Sequence, residues 1–170
     1  MKILGIDPGV ATVGYGVVAG DPGRPAQLIE CGVLRTDPKT PLAERLHSIH
    51  LGMTDLLARH QPDAVAVESI FNSKNVRTTV VLGHARGVIL LTAEQAHIPI
   101  AEYAPATVKQ AVVGRGRAAK AQVGYMVAQL LRLRSAPTPS DAADGVALAL
   151  THLLRIGRIQ PGRSALLGTR

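Results

Sequence analysis

The chain has 170 residues, a hydrophobic fraction of 46%, a charged fraction of 18% and a formal net charge of +7, which are typical of a compact basic domain rather than of a disordered chain. No apolar run reaches the roughly 18 residues that a membrane span needs, the N-terminus lacks the features of a signal peptide, and Cys31 is the only cysteine. We therefore expect a cytoplasmic protein with no disulfide framework, no cysteine-based zinc site and no membrane contact.

The first part of the chain predicts an antiparallel meander. Three short apolar runs are typical of strands, at 2–7, 13–19 and 27–34. Asp21-Pro22-Gly23 predicts a turn between the last two strands. Apolar residues at helical spacing predict a helix over 42–60, which Pro62 ends. A fourth strand is predicted over 64–68, and because it follows a helix it should lie parallel to an earlier strand.

The second part of the chain predicts four helices and one strand. The segment 70–77 is polar and loop-like, and a fifth strand is predicted over 98–103. The predicted helices lie at 78–96, 106–113, 119–133 and 140–156. Strands followed by alternating helices and strands indicate an α/β fold, with a mixed five-stranded sheet and helices on both faces. We expect a single domain over 1–156 and a basic tail over 157–170 that frays.

Four of the twelve acidic residues occupy positions that suggest a shared site. Asp7 and Glu68 each end a predicted strand, so in parallel neighbouring strands both would face the crevice at the strands' carboxyl ends. Asp141 and Asp144 are three residues apart and share one face of a helix. Ser140 is predicted to be the N-cap of that helix, whose apolar remainder predicts burial against the sheet.

A cation would resolve the repulsion among four carboxylates in one crevice. Oxygen ligands favour Mg²⁺, with Mn²⁺ as an alternative, over zinc. Two such ions clamp the attacking and leaving oxygens in phosphodiester hydrolysis. Taken alone, three of the acids also have a structural explanation: Asp7 as a turn residue, Glu68 as a strand-end cap and Asp141 as a first-turn acid of a helix. Asp144 is harder to explain in this way, because it leads into the packed face of its helix.

The basic residues lie mainly in the second part of the chain. Residues 1–70 hold 6 Lys and Arg against 8 Asp and Glu, whereas residues 71–170 hold 13 against 4. This distribution indicates a polyanionic partner, with nucleic acid as the first candidate. The candidate DNA contacts are Phe71, Lys74, Arg77, Lys109, Arg115, Arg117 and Lys120.

Each group of candidate contacts has an alternative explanation. Phe71 is expected to stack on bases or wedge between them, or else to close its loop as a hydrophobic peg. The basic residues around Gly114 and Gly116 suit phosphate contact, or else form a solvated turn. Gly83 and Gly87 would let another helix approach closely, either within the chain or across a dimer.

The series of motifs resembles the RuvC family of Holliday-junction resolvases, which have an RNase H-like fold. The resemblance runs from Gly5 to about Leu154. It is carried by six segments: Gly5-Ile6-Asp7-Pro8-Gly9, Glu68 with the 71–75 loop, Leu82–Gly87, 108–114, 120–123 and Asp141–Asp144. This chain has one aromatic, Phe71, in a loop where some relatives carry a pair.

The resemblance implies a specific chemistry. The four acids would bind two Mg²⁺ ions and activate a water, while Lys109 and Lys120 would face the DNA near the scissile phosphate. If Lys120 reaches the site, it would also counter charge that develops in the transition state. The resemblance further implies a homodimer that nicks a four-way junction symmetrically, leaves 5′-phosphate and 3′-hydroxyl ends in recombination and repair, and works beside a RuvA–RuvB branch-migration complex.

Three other functions are compatible with part of the sequence. An RNase H-like nuclease acting on RNA–DNA hybrids would have the same acids. The motif from Gly5 to Gly9 also resembles the phosphate loop of actin-like kinases and ATPases, but these need a second lobe for which 170 residues leave no room. A binding module with a dead site would gain nothing from four acids that face phosphates.

Overall fold

The computed structural model describes residues 1–21, 24–69 and 76–158. Its strands and helices, in chain order, are β1 Lys2–Asp7, β2 Thr12–Ala19, β3 Gln27–Arg35, α1 Leu42–His60, β4 Ala64–Glu68, α2 Val76–Gln95, β5 Ile100–Tyr103, α3 Pro105–Val113, α4 Lys120–Leu130 and α5 Ser140–Arg158. None of these helices is both long and apolar enough to cross a membrane.

The five strands form one mixed sheet in the order β3-β2-β1-β4-β5. β1 pairs antiparallel with β2, and β2 pairs antiparallel with β3, which confirms the predicted meander. β4 lies parallel to both β1 and β5. The carboxyl ends of β1, β4 and β5 therefore lie at the same edge of the sheet.

The sheet separates two hydrophobic cores. Alternation along β1 directs Leu4 and Ile6 into the core beneath α1 and α2, and Ile3 into the core beneath α3, α4 and α5. Because side chains alternate along a strand, Asp7 lies on the same face as Ile3, and Glu68 lies on the same face as Ala66. Ile3 and Ala66 both belong to the core beneath α3, α4 and α5. Both acids consequently lie on the sheet face that α5 covers.

Glycines bring α5 unusually close to the sheet. A Cβ atom on Gly5 of β1 would lie 2.1 Å from the backbone oxygen of Gly145, and one on Gly14 of β2 would lie 2.0 Å from the backbone oxygen of Asp141. A side chain at either position would therefore collide with the helix backbone, and the absence of one lets α5 rest directly on the strands. The first turn of α5 is fixed over the end of β1 in this way.

Several predicted boundaries were wrong. α4 ends at Leu130 rather than at residue 133, because Arg132 has a left-handed φ of 54° that a helix cannot continue. β5 begins at Ile100 rather than at residue 98, after Pro99, which has no N–H to donate to a neighbouring strand. α5 continues to Arg158, two residues into the predicted tail.

Two helix starts also differ from the predictions. α2 begins at Val76 rather than at residue 78, so Arg77 lies in its first turn and not in a loop. Ser140 is already helical, and the carbonyl of Pro139 accepts the N–H of Ala142 at 3.0 Å. The cap position therefore falls to Pro139, and the prediction of Ser140 as N-cap was wrong.

Candidate active site

Two of the four acids meet at the carboxyl ends of neighbouring parallel strands. Ile6 of β1 is in register with Val67 of β4, so the next residues, Asp7 and Glu68, lie side by side. Both side chains line the same crevice. This confirms the prediction that both side chains face one crevice.

The other two acids approach from the first turns of α5. Asp7 is in register with Gly14, on whose bare backbone Asp141 rests. Carboxylate oxygens of Asp7, Asp141 and Asp144 all lie within 4.8 Å of one another. Asp7 thus belongs both to this cluster of three and to the pair with Glu68.

When no cation is bound, the negative charges of the carboxylates repel one another. Burial, and after it the charges of Glu68 and Asp144, raise the pKa of Asp7 from its ordinary 3.8 to about 8. Burial also raises the pKa of Glu68. Two adjacent buried carboxyls therefore share a proton at neutral pH rather than ionise together.

The donor set fits a hard divalent cation. Asp7, Asp141 and Asp144 offer only carboxylate oxygens, which suit Mg²⁺ or Mn²⁺ better than a metal that prefers nitrogen or sulfur. A cation would also replace the proton that the buried carboxyls need. The acidic cluster could therefore hold a metal ion.

Two lysines complete the crevice. Nζ of Lys120, the first residue of α4, lies 2.6 Å from Oδ2 of Asp144. The hydrogen bond to Asp144 is the main reason why the pKa of Lys120 is raised. Lys109 of α3 also lines the crevice, and its charge lowers the pKa of Glu68 against the larger effect of burial.

The crevice has a volume of about 250 Å³. It is lined by Asp7, Glu68, Pro105, Val108, Lys109, Lys120, Val123 and Asp144. The three apolar residues among these were not predicted. They belong to α3 and α4, and only the arrangement of those helices around the carboxyl end of the sheet brings them to the acids.

The remaining predicted DNA contacts lie outside this crevice. Arg115 and Arg117 are exposed in the turn between α3 and α4. Arg77 is exposed on α2, which packs on the opposite face of the sheet. Phe71 and Lys74 fall outside the described residues, as do Pro22 and Gly23 of the predicted turn.

Comparison with known proteins identifies the family. The model of the family described as "Crossover junction endodeoxyribonuclease RuvC" matches residues 3–152. The chain belongs to the RuvC family. The crossover junction endodeoxyribonuclease RuvC of Halorhodospira halophila is 53% identical over 151 residues, which are 89% of this chain and 89% of that relative.

Solved structures of the family have the same fold. Thermus thermophilus RuvC is 42% identical with a TM-score of 0.82, and the match covers 89% of this chain and 93% of that one. The T. thermophilus RuvC structure in complex with a Holliday junction substrate is 40% identical with a TM-score of 0.88, over 93% of this chain and 96% of that one. The predicted RNase H-like fold is thereby confirmed, and the protein belongs to a family of nucleases.

Proposed function

We propose that this protein resolves four-way DNA junctions by metal-dependent hydrolysis of two symmetric phosphodiester bonds. The observation that carries the proposal is the position of Asp7. Its carboxylate lies near those of Asp141 and Asp144 on one side and beside Glu68 on the other. A relative 40% identical to this chain has been solved with a Holliday junction substrate. Family membership therefore favours the junction as the substrate.

The acids are proposed to hold two Mg²⁺ ions, or Mn²⁺ in their place. Asp7 would contribute to both positions, with Asp141 and Asp144 at one and Glu68 at the other. Bound in this way, the metals would supply a nucleophilic water and stabilise the leaving oxygen. The fold keeps the carboxylates close together in two ways. The register of β1 and β4 puts Asp7 beside Glu68, and the absence of a side chain at Gly14 lets the backbone of Asp141 pack against β2 next to Asp7.

The lysines are proposed to guide the phosphate into the crevice. Lys109 and Lys120 place positive charge on the side of the crevice formed by α3 and α4. Lys120 is two-thirds exposed despite its ion pair with Asp144, so its ammonium can turn towards an incoming phosphate. In the transition state it would balance the charge that develops on the phosphoryl oxygens.

The basic residues beyond the crevice are proposed to hold the junction arms. Arg115 and Arg117 are exposed next to the crevice, and Arg77 is exposed at the start of α2. We assign Phe71 and Lys74, by family resemblance alone, to contacts near the junction centre. We further propose that the protein acts in recombination and repair, in the cytoplasm, and that RuvA and RuvB are its partners.

A homodimer would supply the second active site that symmetric cutting requires. α2 carries an apolar stripe on its solvent side, formed by Val76, Val80, Gly83, Gly87 and Leu91 at helical spacing. The three larger side chains are 76%, 52% and 57% exposed, and none of the described residues has an atom within 4 Å of a Cβ atom built on either glycine. Close packing within the chain therefore does not account for these glycines, and the α2 stripe is the surface we propose for the dimer.

A panel of nucleic acids tests the proposal. The protein is incubated with a mobile four-way junction, a duplex of one arm and an RNA–DNA hybrid, in Mg²⁺, in Mn²⁺ and in chelator. We expect paired nicks in the junction alone, only with metal, and nicks that DNA ligase seals without prior end repair. Preferential cutting of the hybrid would replace the proposal with the RNase H-like alternative.

An Asp7→Asn variant tests the site. We expect cleavage to be abolished and junction binding to be retained or tightened, because a charge that repels the phosphate has been removed. The matched control is Asp55→Asn on α1, whose carboxylate is 62% exposed and pairs with Arg59. Unchanged cleavage by the Asp7 variant would rule out the proposed metal site.

A further inference from the structure

Tyr125 is the only exposed aromatic residue in the described part of the chain, with a side chain 63% exposed. The other two tyrosines are half-buried and hydrogen bonded: Tyr15 donates to Glu30 at 2.7 Å, and the Tyr103 hydroxyl pairs with His152 at 2.7 Å. An exposed tyrosine ring is a flat apolar surface that has no role in the core. Its position on α4 suggests a binding role instead.

Tyr125 lines a cleft of about 350 Å³ between the end of α3 and the outer face of α4. The cleft is lined by Val113, Arg115, Ala121, Gln122, Tyr125 and Met126. Its walls are therefore mainly apolar, with one aromatic ring, one guanidinium and one amide. A planar, partly polar group with an attached anion matches this composition.

Hydrogen bonds between side chains and the backbone hold the rim of the cleft in place. Gly114 ends α3 in the left-handed conformation at φ 82°, and its carbonyl accepts a hydrogen bond from the Gln110 side chain at 2.9 Å. The Gln122 side chain in turn accepts the N–H of Ala119 at 3.0 Å. These bonds fix the turn that carries Arg115, so the cleft is formed before any ligand arrives.

The chain segment that forms the cleft carries only basic charges. No acidic residue occurs between Glu102 and Asp141, whereas six basic residues do: Lys109, Arg115, Arg117, Lys120, Arg132 and Arg134. A phosphate-bearing ligand is therefore attracted to the α3–α4 surface as a whole. Stacking of bases on exposed aromatics beside such charge is a general way to hold unpaired nucleotides.

The cleft lies on a different face of α4 from the candidate active site. Tyr125 follows Lys120 by five residues, which corresponds to about 7.5 Å along the helix axis and about 140° around it. A strand whose phosphate reaches Lys120 would therefore pass around the first turns of α4 to present a base at Tyr125.

We propose that the Tyr125 cleft holds one unstacked nucleobase of the cut strand, within a few nucleotides of the scissile phosphate. The base stacks on the Tyr125 ring, and Arg115 contacts the adjoining phosphate. This inference rests on the proposed function, since it takes the junction strand as the ligand. It adds a subsite that the acids and lysines of the crevice do not require.

The test measures binding of a four-way junction in chelator, so that cleavage does not interfere. Tyr125→Ala should weaken binding by about tenfold or more, the range expected for loss of one stacked base. Tyr125→Phe should bind like wild type, because the ring alone is needed. Ile29→Ala on β3, which also removes an exposed apolar side chain, is the matched control and should have no effect.

A series of abasic junctions separates stacking from a structural effect. One abasic nucleotide is placed in turn at each position within three of the cut. At one of these positions the abasic site should weaken wild-type binding and add nothing in Tyr125→Ala, because both changes remove the same contact.

Other outcomes overturn the inference. Independent effects at every position, or unchanged binding by Tyr125→Ala, would overturn the subsite and leave the proposed function intact. Failure of the wild-type protein to bind the junction would overturn both.

Discussion

Asp7 lies at the centre of the acidic cluster, beside both the α5 carboxylates and Glu68. Its pKa of about 8 means that a proton occupies the site at neutral pH when no metal is bound. A divalent ion bound at this cluster, as proposed, would displace that proton. Metal affinity and proton release are therefore coupled at this residue.

The first prediction concerns metal affinity and pH. Because Mg²⁺ or Mn²⁺ competes with the proton, affinity should rise with pH up to about 8 and then level off. Isothermal titration calorimetry in two buffers of different ionisation enthalpy, at about pH 6 and about pH 9, measures both affinity and protons released. Equal proton release at the two values would contradict the displacement.

The second prediction concerns stability without metal. The folded-state pKa of Asp7 lies above its ordinary 3.8, so the folded protein binds more protons than the unfolded chain between the two values. This contribution to stability is present at low pH and is lost as pH rises towards about 8. Asp7→Asn should therefore raise the melting temperature in chelator above neutral pH and abolish stabilisation by added Mg²⁺.

A control variant accompanies the melting experiment. Asp55→Asn, at an exposed position, should respond to Mg²⁺ like wild type. A lower melting temperature for the Asp7 variant in chelator would show that the acid stabilises the fold.

At the scale of elements, the contact between α5 and the sheet decides where the carboxylates lie. Gly14 and Gly5 let the backbone of the helix touch the strands. Any side chain there would lift the first turns of α5 and move Asp141 away from Asp7. A substitution at either glycine should therefore change both the position of Asp141 and the stability of the fold.

The third prediction tests this contact. Gly14→Ala should lower the free energy of unfolding by roughly 1–3 kcal/mol or more through overpacking, and should weaken metal binding as well. Urea denaturation and metal titration measure the two effects. Gly124→Ala, inside α4 with its nearest neighbour at 3.4 Å, should be neutral or slightly stabilising, because alanine favours a helix. Equal effects at the two positions would argue against close packing.

The sequence predicted most of the elements but not how they are spaced. Asp7 beside Glu68 followed from strand periodicity and the right-handed crossover, and Asp141 with Asp144 followed from helical spacing. The roles of Gly5 and Gly14 were missed, although glycine inside a strand can signal close backbone approach. The apolar wall of the crevice could not be predicted, because Val108 and Val123 come from helices whose packing angles no local pattern encodes.

At the scale of the whole molecule, the exposed α2 stripe leads to the fourth prediction. Val80→Glu should turn a dimer into a monomer, because it places a charge at the centre of the stripe. Sedimentation velocity measures the change, and a nicking assay should then show uncoupled single nicks. Ile29→Glu, on the edge strand β3 at the opposite end of the sheet, should remain dimeric. A monomeric wild-type protein would refute the proposed dimer.

Under the proposed function, the four acids also determine when during synthesis the protein can acquire activity. A ribosome adds roughly 5–20 residues per second, so Asp7 and Glu68 emerge several seconds before Asp141. The basic segment between Glu102 and Asp141 emerges before the acid set is complete. A nascent chain can therefore attract nucleic acid before it can cut, and hydrolysis becomes available only when the last helix docks on the first two strands.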